Sequence, residues 1–475
     1  MRSEIRQRNK RAWMQGIGLF GLLSVLVSIT VFNMPAAHAQ RPTDWTTYQY
    51  NNQRTGFNKL ENIITPSSAA SLKPKWTVSA GGSVSTQPVT TNGVVYWGSW
   101  DGYEHASNSS TGAGIWMTNV GQTTNGNCYP PTVGAASTAT VTIKGKSTLT
   151  IFVGGGNSTF YALDAASGGI LWQISLGASS AGNFLWGSPA VFNGSVYIGM
   201  ASFGDCPLVQ GKMYQLNAST GAIQHVFNTV PDGCVGGGVW GSPAIDASGR
   251  LYFATGNPGG GCSTPTPYAQ AVVELNASNL SYVASWQVPA SQAIGDGDFG
   301  STPTIFNSML GIVNKNGIYY AFQRNQLAAG PVWQTQVADP GESPEGGQGS
   351  ISPSAWDGTN LYVAGGSVTI NGVSCTGSLR ALNPSSGAII WSQCLTGGPV
   401  LGPVTAVPGL AIVGAGQDLV VVNSSSGQRV FTYTQPVGNW FVAPSVSNGA
   451  LYVGVMGSYG GYSGGELYAF TPNGQ

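Results

Sequence analysis

Acidic residues are concentrated between residues 296 and 345, at spacings that suit acid–base catalysis. The group consists of Asp296, Asp298, Asp339, Glu342 and Glu345. Two carboxyl groups on opposite sides of a substrate can act as general acid and general base, as in glycoside cleavage. Whether two of them face one substrate depends on the fold, so paired-carboxylate hydrolysis stays open at this point.

Other catalytic signatures are weaker. Residues 461–465 read GYSGG, the G-x-S-x-G pattern of a nucleophilic serine, but no helical segment follows as that pattern requires. Beyond residue 39 the only histidines are His105 and His225, and they lack metal-ligand spacing, so a zinc site is not predicted. No CxxCH motif is present, so a c-type haem is not encoded.

A side-chain amide at the end of a strand allows a different chemistry. Residues 251–261 read LYFATGNPGGG, an alternating apolar strand that runs into Thr-Gly-Asn-Pro. Asn257 before Pro258 suits an ordinary turn. Its amide can instead reach a ligand beyond the end of the strand. The elements that position Asn257 decide between these two roles.

The N-terminus predicts a secretory signal over residues 1–39. A basic run precedes an apolar stretch from Ile17 to Phe32, and Ala37-His38-Ala39 suits a cleavage site. The apolar stretch is 16 residues long, shorter than the roughly 20 that span a bilayer. The chain has 18 basic and 18 acidic residues. Cleavage after residue 39 removes five basic residues and one acidic residue, which leaves 13 positive and 17 negative side chains. A net negative domain is a poor partner for nucleic acid.

Repeats in residues 40–475 predict the fold. A phrase of proline, apolar strand, Asn-Gly, strand, Asn-x-x-x-Gly turn and a strand with an aromatic residue recurs eight times. The prolines that mark the copies are Pro88, Pro131, Pro189, Pro243, Pro303, Pro353, Pro403 and Pro444. Eight such units predict an all-β, eight-bladed propeller of four-stranded antiparallel blades. Asn92-Gly93, Asn193-Gly194 and Asp357-Gly358 suit tight hairpins between first and second strands.

The aromatic residue of the fourth strand predicts how the ring closes. It is present in seven copies, but the last copy ends at YAFTPNGQ without a fourth strand. An orphan copy, KPKWTVSA around Trp76, precedes the first repeat. We therefore expect the N-terminal strand to complete the eighth blade, which leaves no open edge in the ring.

Long inserts predict a functional mouth on one face of the ring. They fall between second and third strands and between blades, and both kinds of connection emerge on the same face of an up-and-down blade. The inserts are 201–210, 256–269, 365–377 and 455–465 within blades, and 121–129, 230–238, 289–299 and 339–349 between blades.

Six cysteines in a secreted chain predict disulfides. If the third and fourth strands of blade 3 pair across the QLNASTG turn, Cys206 faces Cys234. The same pairing in blade 6 brings Cys375 near Cys394. Cys128 and Cys262 then remain, bridged across the mouth or free.

Blades 3 to 5 carry a more specific likeness. The runs GGGVWGSPAIDASGRLYFATGNPGGG (236–261), DGDFGSTPTIF (296–306) and NKNGIYYAFQRN (314–325) resemble the pyrroloquinoline-quinone (PQQ) alcohol dehydrogenases. At the level of the repeats, the resemblance covers residues 44–475. Those proteins are eight-bladed propellers with the quinone and a calcium ion near the central axis. The resemblance therefore implies a PQQ and calcium site in this chain.

The resemblance also implies roles for particular residues. Trp240 matches the indole on which the flat quinone stacks, and Asn257 matches a calcium ligand. Asp298 matches the catalytic base that removes the alcohol proton and lies beside the metal. Lys315 matches the cation that hydrogen-bonds the quinone oxygen. Each also has a purely structural alternative: a core indole, a turn amide, an Asx turn and an exposed hairpin lysine.

The chain departs from the family pattern at one ligand. The family places a carboxylate calcium ligand in the blade 3 insert, where this chain reads SFGDCPLVQG (202–211) and offers Asp205 at a different offset. The family's adjacent pair of cysteines is absent. None of the six arginines beyond residue 39 matches a partner for the quinone carboxylates. Asp205 is therefore the candidate third metal ligand.

Two functions follow from this sequence. The first is a secreted dehydrogenase that oxidises an alcohol or polyol with PQQ and calcium and passes electrons to an external acceptor, because no haem is encoded. The second is a non-catalytic PQQ-like propeller that acts as an extracellular scaffold or binds a protein or glycan, like the propellers that assist outer-membrane assembly.

Overall fold

The fold is a closed ring of eight four-stranded antiparallel blades. It is seen in a computed structural model that describes residues 43–144, 148–263, 265–436, 438–457 and 464–475. The predicted signal segment 1–39 and Ser463 of the GYSGG motif lie outside these residues. In the described part, no helix is long and apolar enough to cross a membrane. The predicted fold class is confirmed.

Blades 1 to 4 are built from strands that pair in chain order. Blade 1 contains Val89–Thr91, Val94–Gly98, Tyr103–Asn108 and Gly114–Asn119. Blade 2 contains Thr140–Lys144, Thr148–Gly154, Thr159–Asp164 and Ile170–Ser175. Blade 3 contains Ala190–Phe192, Ser195–Ser202, Lys212–Asn217 and Ile223–Asn228, with Asn183–Phe184 added against its second strand. Blade 4 contains Ala244–Ile245, Arg250–Ala254, Ala271–Asn276 and Tyr282–Gln287.

Blades 5 to 8 repeat the pattern, and the last one is completed from the N-terminus. Blade 5 contains Thr304–Phe306, Met309–Val313, Ile318–Gln323 and Trp333–Gln336. Blade 6 contains Ala355–Trp356, Leu361–Gly365, Gly377–Leu382 and Ile389–Leu395. Blade 7 contains Thr405–Val407, Leu410–Ala415, Asp418–Asn423 and Arg429–Thr434. Blade 8 contains Ser445–Ser447, Ala450–Val455, Glu466–Pro472 and the N-terminal strand Leu72–Ser79.

Small elements decorate the connections. Two short hairpins pair Thr123–Thr124 with Thr132–Val133 and Val368–Ile370 with Val373–Cys375. The 3-10 helices of the described chain are Ala69–Ser71, Ser179–Ala181, Arg324–Ala329 and Pro344–Gly346.

The hairpin predictions hold at two of three places. Asn92-Gly93 and Asn193-Gly194 form two-residue turns with positive φ at both residues. In blade 6 the connection is longer, because Trp356 pairs with Leu361. The Asp357 side chain there accepts N–H groups from the two residues before Leu361, so the predicted tight turn at Asp357-Gly358 is wrong.

The prediction that Pro131 marks the start of blade 2 is also wrong. Pro189 and Pro243 directly precede their first strands, whereas the first strand of blade 2 begins at Thr140. Ala139 holds the corresponding position, and Pro131 lies in the loop that precedes it. The insert between blades 1 and 2 had shifted the apparent repeat.

The first strands surround the axis and are linked by hydroxyl groups. First strands of adjacent blades contact each other. In blades 1 to 4, the residue before the first-strand proline, or its equivalent, donates its backbone N–H to a hydroxyl oxygen of the next blade. The links are Gln87 to Thr138 (2.8 Å), Thr138 to Ser188 (3.0 Å), Ser188 to Ser242 (2.8 Å) and Ser242 to Thr302 (2.9 Å). These bonds satisfy backbone donors that would otherwise be buried without partners.

A tryptophan of the fourth strand fastens each of five blades to the next. Its ring lies against a glycine of the neighbouring blade's last turn, and its Nε1 donates to a carbonyl oxygen of that turn at 2.9–3.1 Å. Those glycines have φ of 70–74°, and an added Cβ would come within 2.3–2.9 Å of the ring. The pairs are Trp76–Gly112, Trp116–Gly168, Trp172–Gly221, Trp333–Gly387 and Trp391–Gly427.

Trp76 makes this contact across the closure of the ring. The strand Leu72–Ser79 pairs with the third strand of blade 8, and the Trp76 indole donates to the Ser109 carbonyl oxygen of blade 1. The predicted closure by the N-terminal strand is therefore confirmed.

The segment before this strand closes the face of the propeller opposite the long inserts. Residues 45–58 run beneath the ring and form a hydrogen bond with the first strand of every blade, in chain order. The blade partners are Thr90, Val141, Val191, Ile245, Ile305, Trp356, Ala406 and Val446. Gly56 has φ of 60°, and an added Cβ would lie 2.2 Å from the Gln49 amide oxygen. Only glycine fits this crossing.

Arg54 anchors the segment at the axis. It is fully buried, and its guanidinium donates to the carbonyl oxygens of Pro243 (2.8 Å), Pro189 (3.0 Å) and Tyr48 (2.7 Å). No carboxylate of the described residues forms an ion pair with it. Burial lowers the pKa of Arg54 to about 10. A charged group therefore joins blades 3 and 4 to the N-terminal segment through carbonyl oxygens and the Thr47 hydroxyl, without a carboxylate partner.

Three disulfides lie at the mouth. They join Cys128 to Cys206, Cys234 to Cys262 and Cys375 to Cys394. The pairing of Cys375 with Cys394 agrees with the sequence prediction. The predicted Cys206–Cys234 bridge is wrong, because the register that would align them ends at Lys212 and Asn228. Beyond that pair the two chains separate into different loops.

Arg54→Ala should strongly destabilise the propeller, because three buried carbonyl oxygens lose a charged donor. We expect the free energy of unfolding to fall by about 3 kcal/mol or more, measured by chemical denaturation of residues 40–475. Arg250→Ala is the control, since its ion pair with Glu274 is partly exposed and should contribute at most about 1 kcal/mol. Equal losses in both variants would contradict an anchoring role for Arg54.

Candidate functional site

A cavity at the mouth is lined by many polar side chains. Its volume is about 290 Å³, near the lower end of the ~300–1,000 Å³ typical of small-molecule sites. Loops of blades 3 to 6 and the loop between blades 1 and 2 supply its walls. The lining includes Tyr129, Trp186, Asp205, Trp240, Asn257, Asp296, Asp298, Lys315, Glu342, Glu345 and Ile351.

Equivalent positions of adjacent blades bring the predicted residues together. Asp205, Asn257 and Lys315 each follow the second strand of blade 3, 4 or 5. Trp240 and Asp298 precede the first strands of blades 4 and 5. Residues far apart in the sequence converge because blade geometry repeats. All five predicted site residues therefore line one cavity.

Glycines allow the close approach of the site residues. An added Cβ at Gly300 would lie 2.2 Å from the Trp240 ring, and one at Gly256 would lie 3.1 Å from an Asp298 carboxylate oxygen. The loop that carries Asn257 is held by the Gly237 N–H, which donates to the Asn257 carbonyl oxygen at 2.8 Å. The Cys234–Cys262 disulfide joins the same two loops.

Asp298 is held by hydrogen bonds on both oxygens. The backbone N–H of Asn257 donates to its Oδ1 at 2.5 Å, and Lys315 Nζ lies 3.5 Å from its Oδ2. The Asp298 side chain is only 8 % exposed. The backbone N–H of Lys315 donates to the Asp298 carbonyl oxygen at 3.1 Å. Carboxylate and ammonium are thus fixed relative to each other.

Asp296 is a second hydrogen-bond partner of Lys315, which the sequence analysis did not predict. Its Oδ2 accepts from Lys315 Nζ at 2.7 Å, a shorter contact than that of Asp298. Lys315 therefore bridges two carboxylates, and its Nζ lies 5.6 Å from the centre of the Trp240 ring. The spacing Asp-Gly-Asp, which places two carboxylates on one loop, was the signal that could have revealed this contact.

Two carboxyl groups of the cavity, those of Asp298 and Asp205, have raised pKa values because they are buried and lie near other charges. Burial raises the pKa of Asp298; Lys315 opposes this shift and Asp296 adds to it, and the resulting pKa is about 6. Burial and then Asp296 raise the pKa of Asp205. Burial acts to lower the pKa of Lys315, but the two carboxylates outweigh it and the pKa is raised. A carboxyl group of this kind suits proton transfer near neutral pH.

The lining of the cavity is rich in carboxylates. Asp205, Asp296, Asp298, Glu342 and Glu345 line the cavity with Lys315 as the one lysine or arginine in its lining. Asp296 Oδ1 is buried and has no hydrogen-bond partner among the described residues. The described part of the chain contains no group of three acidic, histidine or cysteine side chains that alone could hold a metal. A cation there would therefore need the Asn257 amide or oxygens of a bound ligand.

The remaining catalytic candidates separate in space. Asp339 does not line the cavity, whereas Glu342 and Glu345 do. Asp296 and Asp298 share Lys315 rather than lying on opposite sides of a substrate space. This arrangement does not favour the paired-carboxylate hydrolysis that the sequence left open.

An eight-bladed ring with this cavity defines a PQQ-type β-propeller of the quinoprotein alcohol dehydrogenase-like superfamily. A family model described as outer membrane protein assembly factor BamB matches residues 105–326 and 315–475. The chain belongs to this family.

Sequence relatives fall in both branches of the superfamily. The quinohemoprotein alcohol dehydrogenase of Comamonas testosteroni is 24% identical over 284 residues, which cover 52% of this chain and 37% of that protein. BamB of Yersinia pestis is 22% identical over 440 residues, which cover 87% of this chain and 94% of that protein. The chain thus matches little more than a third of the length of the alcohol dehydrogenase.

Solved structures agree on the fold. The quinohemoprotein alcohol dehydrogenase from Comamonas testosteroni superposes with a TM-score of 0.71 at 17% identity, over 91% of this chain and 81% of the other. A europium-containing methanol dehydrogenase gives 0.71 at 15% identity, over 91% and 98%. At these identities the likeness concerns the fold alone.

Asp298→Asn should stabilise the protein at neutral pH in the absence of metal and quinone. Because its folded pKa of about 6 lies above the unfolded value of 3.8, the folded state favours the protonated form. The wild type therefore loses stability as pH rises from about 4 to 7, by up to about 3 kcal/mol relative to the variant. Denaturation of chelator-treated protein at several pH values measures this difference.

The control is Asp232→Asn, at an exposed position outside the cavity, for which we expect no such pH-dependent difference. A stability difference between Asp298→Asn and wild type that stays constant from pH 4 to 7 would contradict the effect of burial on Asp298.

Proposed function

We propose that this protein is a PQQ-dependent dehydrogenase that oxidises an alcohol at the mouth cavity. The observation that carries the proposal is the joint placement of Trp240, Asn257, Asp298 and Lys315 in one cavity. A structural role for each residue separately does not require them to share one site. The alcohol dehydrogenase branch of the relatives supports the same assignment.

Each residue has a definite task in this proposal. The Trp240 ring provides a flat surface on which a planar quinone can stack. Lys315 offers a hydrogen-bond donor and a positive charge where negative charge develops on a ligand oxygen. Asp298 accepts the proton from the alcohol hydroxyl, for which a pKa of about 6 is well suited. When bound, the quinone would supply the acceptor for the hydride, which carries both electrons of the oxidation.

A calcium ion fits beside these residues. Asp205, Asn257 and Asp298 would hold it through carboxylate and amide oxygens, which are the ligands that calcium prefers. When bound, the ion supplies positive charge that polarises a coordinated oxygen. It would also offset the surplus of carboxylates around Lys315.

The cellular setting follows from the sequence and the relatives. The predicted signal over residues 1–39 and the names of the relatives favour a location outside the cytoplasm. Electrons would leave to a separate acceptor, because the sequence encodes no c-type haem.

Loading the purified residues 40–475 with PQQ and calcium tests the proposal. We expect bound quinone absorbance and alcohol-dependent reduction of a dye. Trp240→Ala should weaken PQQ binding about tenfold or more, because the stacking surface is lost. Asp298→Asn should keep PQQ binding but lower kcat/KM about 10²- to 10⁴-fold, because the proton acceptor is lost.

Asp232→Asn, outside the cavity, serves as the matched control and should keep full activity. Absence of PQQ binding to the wild type, or turnover unchanged in Asp298→Asn, would overturn the proposal.

A second candidate is a non-catalytic scaffold that binds a protein or glycan. The matching family model and the relative covered over 94% of its length are both described as the assembly factor BamB. A scaffold accounts for the fold without a bound quinone. Failure of PQQ binding in the wild type would favour this function.

A further inference from the structure

A second, shallower cavity extends from the mouth across blades 6 and 7. Its volume is about 550 Å³. It is lined by Tyr129, Ser343, Glu345, Gly398, Asn439 and Phe441, among others. Tyr129 and Glu345 also line the first cavity. The two spaces therefore adjoin each other at these residues, and we call the second one the rim groove.

Tyr129 presents an aromatic surface at the junction of the two spaces. It is 61% exposed, which is unusual for a ring of this size beside a functional cavity. Its neighbours hold the backbone in place, since Cys128 is bonded to Cys206 and Pro130 is buried. A fixed, exposed ring can stack on an apolar ligand face at little entropic cost.

The polar side chains of the rim groove are available to a ligand. The Asn439 amide and the Ser343 hydroxyl form no side-chain hydrogen bond with any described residue. The groove carries one charged side chain, Glu345. Hydrogen-bonding groups beside an aromatic ring and few charges suit a neutral ligand with many hydroxyl groups.

Close backbone packing keeps the groove open. An added Cβ at Gly416 would lie 2.1 Å from the Gly397 carbonyl oxygen, and one at Gly398 would lie 2.6 Å from Gly416 Cα. These positions cannot carry side chains without moving the loops. The floor of the groove therefore consists of backbone, and a chain-like ligand can lie along it.

We infer that the rim groove binds an extended carbohydrate chain. Tyr129 would stack on the C–H face of a sugar ring, while Ser343 and Asn439 would hydrogen-bond its hydroxyls. A long apolar alcohol fits less well, because it would leave those polar groups unpaired. Delivery of a terminal hydroxyl to Asp298 rests on the proposed function, whereas binding in the groove does not.

Isothermal titration calorimetry of residues 40–475 without quinone tests the inference, with cellohexaose and glucose as the probes. We expect cellohexaose to bind at least about tenfold more tightly than glucose, because only the longer chain spans the groove. Tyr129→Ala should weaken cellohexaose binding about tenfold, and Tyr129→Phe should restore it, because the ring is kept.

Tyr282→Ala is the matched control, since Tyr282 is also exposed but lies on the outer strand of blade 4. It should leave binding unchanged. Equal affinity for cellohexaose and glucose, or no effect of Tyr129→Ala, would overturn the inference. Binding of cellohexaose without PQQ binding would support the groove and refute the dehydrogenase. PQQ-dependent oxidation of small alcohols without cellohexaose binding would support the dehydrogenase and refute carbohydrate binding in the rim groove.

Discussion

The contact of a tryptophan ring with a glycine of the next blade is the interaction on which the ring depends. A single repeat unit cannot bury its apolar faces alone, so each blade needs its neighbours. The indole covers the glycine and donates to a carbonyl oxygen of the same turn. One residue type thus joins the hydrophobic packing and the backbone hydrogen bonding of two blades. Repeated at five of the eight junctions, this contact constrains the angle between those blades.

The arrangement of the blades determines what the mouth can do. Loops that follow the second strands and precede the first strands project on one face, and those of blades 3 to 5 converge on a common space. Lys315 lies between Asp296 and Asp298 there, so its charge is shared by two carboxylates. Burial then raises the pKa of Asp298 further than the lysine lowers it. Desolvation, more than charge pairing, sets the proton affinity of this carboxyl group.

Features that recur in every repeat could be predicted from the sequence, whereas contacts between irregular loops could not. The fold was predictable because turns and fourth-strand aromatics recur with their spacing, and the orphan strand around Trp76 revealed the closure. The grouping of the candidate site residues in one cavity was predictable because the runs that carry them, 236–261, 296–306 and 314–325, resemble those of the PQQ alcohol dehydrogenases. Contacts between irregular loops were not predictable. Cys206 pairs with Cys128 rather than Cys234 because strand register stops at Lys212, and Asp296 reaches Lys315 across a gap of 19 residues.

The N-terminal segment has a consequence for the order of folding. Residues 45–58 are synthesised before any blade, yet their partners extend to Val446, 388 residues from Asn58. Loops of this length close late, because the entropy of closure must be overcome before the contact forms. The first part of the domain to leave the ribosome is therefore the last to be fully bonded. Residues 45–58 can form all of their hydrogen bonds only when all eight blades are present. Full bonding of this segment therefore requires the complete propeller.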